Sequence, residues 1–140
     1  MCLAGASGAG AELLRTLPHP DLRLHFVWVP MLPADDRQAA AAAAQRLAEP
    51  RALHYWDGER HLARHLAERL NIGSRESLGV EGGAGFAWDV YLAYGRGSRE
   101  IGRPAFWMHQ LGVTHAPRLN AGEFRRRVEK LFATPPEGQA

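Results

Sequence analysis

Few side chains in this chain have types and spacings that could do chemistry. His61 and His65 stand four apart on a stretch of helical period, so both can face one metal ion. Zinc needs further ligands, and the glutamate that follows the first histidine in a metalloprotease helix is replaced by Leu62. The pair is therefore read as solvated helix histidines, with no metal assigned. Asp89 lies between Trp88 and Val90, an acid inside an apolar run. It is either a hydrogen-bonded structural carboxylate or a group that tunes a neighbouring thiol. The single cysteine, Cys2, excludes an intramolecular disulfide and a cysteine-based zinc cage. One thiol can react once, forming a mixed disulfide or a dimer, but cannot close a bond that releases its partner. Trp56, Trp88 and Trp107 could line a pocket with Tyr55, Tyr91 and His109, although aromatics on alternating strand positions ordinarily form core.

Elements that place these groups follow from periodicity. Cys2 to Leu17 is rich in Ala, Gly and Leu and reads as a first helix closed by Pro18-His19-Pro20. Leu22 to Val29 alternates like a strand at the centre of a sheet and ends at Pro30. Asp35-Asp36 can cap a helix over Arg37 to Glu49, whose alanine run Ala39 to Ala44 suits close packing on a sheet. Ala52 to Trp56 predicts a short strand, and Asp57-Gly58 turns the chain into a helix with Leu62, Leu66 and Leu70 on one face. Ser74 to Gly85 has no periodicity and reads as a loop. Phe86 to Tyr94 alternates with period two, and Ala105 to Leu111 is its expected antiparallel partner. Asn120 with Glu123 predicts the cap of a last helix bearing Phe124, Val128, Leu131 and Phe132, before a frayed tail at 135–140. Alternation followed by a hairpin predicts an α/β mixed sheet flanked by helices, in a single domain over 1–134.

Composition narrows the function. The chain has 140 residues, 46% hydrophobic and 23% charged, as expected for one globular domain rather than a disordered segment. Its longest apolar stretch, Phe26 to Leu32, is broken by Pro30, far short of the about 20 residues of a bilayer span, so no membrane segment is expected. Sixteen arginines stand against one lysine, Lys130, with a net charge of only +2. They are scattered among acids, and the one run, Arg125-Arg126-Arg127, shares its helix with Glu123 and Glu129, so no nucleic-acid partner is expected. No basic segment followed by an apolar core opens the chain, which as given is read as cytoplasmic.

This element order, with Cys2 at the start of the first helix, resembles the thioredoxin-like fold, and within it the redoxin branch, where an extra strand and helix precede the final hairpin. Val27-Trp28-Val29-Pro30-Met31-Leu32-Pro33, His54-Tyr55-Trp56-Asp57 and Ala87-Trp88-Asp89-Val90-Tyr91-Leu92 are similar to strings in poorly characterised bacterial thioredoxin-like proteins. The resemblance runs from Cys2 to Phe132. It implies thiol–disulfide chemistry with a protein thiol partner, no cofactor, and Cys2 and Asp89 as the site.

This chain departs from the family at several points. The family uses Cys-x-x-Cys at a helix N-terminus, where free N–H groups and the dipole favour the thiolate. Here Gly5 stands where the second cysteine would follow Cys2, or else the first would fall three residues before Cys2. No proline lies around Phe86-Ala87-Trp88, where the family has a cis-proline before its penultimate strand. The strand that precedes the cysteine helix, central in that fold, is also missing, and its loss would leave two neighbours unpaired. The chain is accordingly expected to be truncated at its start or a degenerate variant, with weak or absent dithiol activity. Two alternatives stay open. One is a binding or scaffold module that kept the fold and lost the site. The other is a nucleotide-binding fragment, because Gly5-Ala6-Ser7-Gly8-Ala9-Gly10 looks like the glycine loop of semialdehyde dehydrogenases.

Overall fold

The computed structural model describes residues 10, 13, 15–72, 85–112 and 116–133. Strands and helices alternate through the first half and then close with a hairpin and a helix: β1 (Leu24–Trp28), α1 (Arg37–Arg46), β2 (Ala52–Trp56), α2 (His61–Arg69), β3 (Val90–Ala93), β4 (Phe106–His109) and α3 (Ala121–Ala133). The mixed α/β content expected from the sequence is present. The pairing differs from one continuous sheet, since among the described residues β1 pairs only with β2 and β3 only with β4. The chain divides into two compact units, Met1–Ala63 and Arg64–Ala140.

In the first unit β1 and β2 run parallel, with Leu24 opposite Ala52 and Trp28 opposite Trp56. A parallel pair needs a crossover, and α1 supplies it. Asp36 caps α1, its carboxylate accepting from the Ala39 N–H at 2.7 Å, which satisfies one of the donors a helix start leaves open. The neighbouring acid does something else: Asp35 accepts from the Met31 and Leu32 N–H groups at 2.8 and 2.9 Å and closes the turn after β1. Ala40 and Ala43 are buried against Trp28, with Phe26, Leu47 and Trp56 around them. Small side chains bring the helix backbone close to the strands, as the alanine run suggests. The helix stops at Arg46, earlier than Glu49, because Glu49 turns back to bind the Arg51 backbone and guanidinium at 2.9 and 3.0 Å. Of the expected first helix, Gly10, Leu13, Arg15 and Thr16 have helical backbone, and Leu13 and Leu17 are buried.

Asp57 follows β2 and fixes the entry to α2, accepting from the His61 and Ala63 N–H groups at 2.8 and 2.9 Å. The expected helical face is present, with Leu66, Ala67 and Leu70 buried.

The second unit is built on the antiparallel pair, Val90 opposite His109 and Ala93 opposite Phe106. The strand expected over Phe86 to Tyr94 is shorter at its start. Asp89 has φ +51°, a left-handed conformation that no extended strand can contain, so pairing begins only at Val90. Phe124 and Val128 of α3 are buried, and Phe124 meets Phe106 and Tyr91 edge-on at 5.1 and 6.4 Å. Asn120 caps this helix through the Glu123 N–H at 2.9 Å, as the sequence suggests. Glu123 does not complete a reciprocal box; it pairs with Arg126 at 2.7 Å.

Candidate functional site around Asp89 and His109

Polar groups from two strands come together where β3 begins and β4 ends. Antiparallel register puts Val90 against His109, so the residues just outside the ladder, Asp89 and Gln110, also face each other. The Gln110 N–H donates to the Asp89 carbonyl at 2.9 Å, and the Tyr91 hydroxyl donates to the Gln110 side-chain oxygen at 2.7 Å. Gln110 is thereby held at both its backbone and its side chain.

His109 is completely buried. Its Nδ1 accepts from the Leu111 N–H at 3.1 Å. That acceptor role requires a lone pair on Nδ1 and assigns the proton to Nε2. Nε2 has no hydrogen-bond partner among the described residues. Trp88 meets the ring edge-on at 5.5 Å between centroids. Burial pushes the imidazole below the ordinary histidine range, and the Trp88 backbone carbonyl pulls the other way.

Asp89 is half-buried, and desolvation pushes its carboxyl above the usual carboxylate range. Left-handed backbone at a non-glycine residue costs about 1–2 kcal/mol. A strained backbone and a displaced carboxyl at one residue are a combination that occurs at functional positions. The arrangement favours the protonated form of the Asp89 carboxyl through desolvation and buries a histidine opposite the next residue, Val90.

The other candidates are placed as follows. Cys2, and the glycine run before Gly10, lie outside the described residues. His61 is exposed and joined to Glu59 at 2.6 Å, and His65 is exposed. Among the described residues no group of three histidine, cysteine or acidic side chains is placed to hold a metal ion. Trp56 lines a cleft of about 390 Å³ in the first unit with Arg37, Asp57 and His61, where the Asp57 carboxylate is already taken up by the cap of α2. Tyr55 is exposed and stacks on His25. Trp88, Tyr91, Trp107 and His109 belong to the second unit. No described peptide bond is cis. Gln110 escaped the sequence reading, since a glutamine after a strand has no local signature; only the register reveals it.

No protein family, curated protein or solved structure matches the chain. Among the described residues no helix is long and apolar enough to cross a membrane.

Proposed function

We propose that the chain is a thioredoxin-like domain of a thiol–disulfide redox family in which one thiol, Cys2, remains and dithiol exchange is weak or lost. The observation that carries this reading is the pairing pattern. A parallel pair connected through a helix is followed by an antiparallel pair and a closing helix. Thioredoxin-like proteins have these two pairs on either side of their central strand. Asp89 adds chemical support, because it immediately precedes the penultimate strand, the position at which that fold meets its cysteines, and carries a displaced carboxyl.

The chemistry available is limited by stoichiometry. The Cys2 thiolate attacks one sulfur of a disulfide, a mixed disulfide forms, and the other sulfur leaves as a thiolate that takes up a proton. A second thiol from outside the chain must release the product. Insulin reduction with dithiothreitol tests the reading. The expected result is little acceleration over dithiothreitol alone, together with a glutathione adduct at Cys2 seen by mass spectrometry; strong turnover by this chain would overturn it. The Cys2 labelling rate against pH, compared between wild type and Asp89→Asn, shows whether Asp89 acts on that thiol. An identical profile removes Asp89 from the site.

A further inference from the structure

His109 does more than fill the interior of the second unit. Its backbone N–H donates to the Pro117 carbonyl at 3.1 Å, and its carbonyl accepts from Leu119 at 2.7 Å and from Gly112 at 3.1 Å. With the Leu111 N–H on Nδ1, this one residue gathers four hydrogen bonds from the segment that follows it. It also forms an isolated parallel bridge with Arg118. The turn it closes passes through Gly112 at φ +80°, where an added Cβ would stand 3.3 Å from the Arg118 backbone nitrogen. The turn thus depends on a glycine and on the imidazole lone pair.

We propose that His109 is an acid-released latch: unprotonated, it holds the Leu111 amide and keeps the turn to Gly112 and the bridge to Arg118 closed, and when Nδ1 takes a proton from solvent both open. The reason is geometric. An imidazolium has two N–H donors and no acceptor, so Nδ1 would oppose the Leu111 N–H donor to donor. The charge would also sit at a fully buried position where Nε2 has no hydrogen-bond partner among the described residues, and the Trp88 carbonyl near the ring offsets only part of that desolvation. Among the described residues, the titratable and charged groups on the segments bound to His109 do not relieve this. Tyr91 is on the opposite face of the pair, edge-on to Phe124, and spends its hydroxyl on Gln110. Asp89 is half-buried with its carboxyl held toward the neutral form by desolvation. Arg118, across the bridge, is exposed and supplies no negative charge.

The sign follows from linkage. In the open turn the ring has its ordinary value of 6.5, and in the closed turn a lower one. The latch is therefore fully closed above 6.5 and loses stability as the pH falls from there toward the value of the closed ring. In that window the open-to-closed ratio rises about tenfold per pH unit.

Nuclear magnetic resonance on the full chain tests it. At neutral pH the long-range nitrogen–proton spectrum of His109 should show the proton on Nε2. Acidification to about pH 5 should move or broaden the Leu111 and Gly112 amide signals together with the His109 ring signals. His109→Asn, whose side-chain oxygen supplies an acceptor that does not titrate, should abolish the pH response of those amides. A proton on Nδ1 at neutral pH overturns the proposal. So does protonation of His109 with the two amides unmoved, or global unfolding that precedes any change in them. The wild-type titration decides the matter even where the variant fails to fold.

Discussion

Trp28 donates its indole N–H to Nδ1 of His54 across 3.3 Å, and the two rings lie 3° from parallel at 6.0 Å between centroids. Phe26 stacks on the same histidine at 5.0 Å, so one face of the parallel pair carries a continuous ring stack against α1. The His54 Nε2 has no hydrogen-bond partner among the described residues, which makes the bond from Trp28 the one that keeps this ring satisfied. Trp28→Phe keeps the stack and removes the donor, and should cost about 1–3 kcal/mol. Trp28→Ala also opens a cavity beside Ala40 and Ala43 and should cost about 3–5 kcal/mol in urea denaturation.

The two adjacent acids before α1 should separate cleanly by experiment. Asp36→Ala removes the cap on Ala39 and should cost about 1 kcal/mol in urea denaturation. Asp35 behaves differently, because the Leu32 and Met31 N–H groups hold its carboxyl below the usual range of 3.8. Its contribution is complete above 3.8 and is lost as the pH falls through its lower folded value. The Met31 and Leu32 amide signals should shift over that acid range in wild type and stay unresponsive in Asp35→Asn.

Asp89 combines a backbone cost with an ionisation cost, and substitutions can divide them. Glycine tolerates φ +51° freely whereas alanine does not, so Asp89→Gly should be about 1 kcal/mol more stable than Asp89→Ala. Its folded carboxyl lies above the unfolded 3.8, so the ionised acid destabilises the fold at neutral pH. Asp89→Asn should therefore be more stable than wild type at neutral pH, with an advantage that fades as the pH falls to 3.8. Denaturation midpoints collected across pH check both statements.

Phe124 joins α3 to the antiparallel pair of the second unit. It is buried between the Phe106 and Tyr91 rings, and truncation leaves a cavity under the antiparallel pair. Phe124→Ala should cost about 3–5 kcal/mol. Arg127→Ala, which removes a cation held 4.3 Å above the Phe106 ring, should cost only about 0.5–1 kcal/mol.

Features governed by neighbours in the chain were legible in the residues themselves. Alanine runs, caps and alternation are local, so α1 with its Asp36 cap, β2 over Ala52–Trp56, the Asn120 cap and the antiparallel hairpin could all be read from spacing. Asp89 too stood out, as an acid in an apolar run. Only the tertiary structure decided the rest. Partition of the strands into a parallel and an antiparallel pair depends on contacts between residues far apart in sequence, which alternation does not encode. The left-handed turn that shortens β3 is a backbone angle tolerated because the surrounding structure determines it, and no residue type announces it at an aspartate. Burial of His109, and the lone pair it lends to Leu111, exist because pairing and the returning segment exclude water from a histidine that in sequence looks like any other aromatic strand residue.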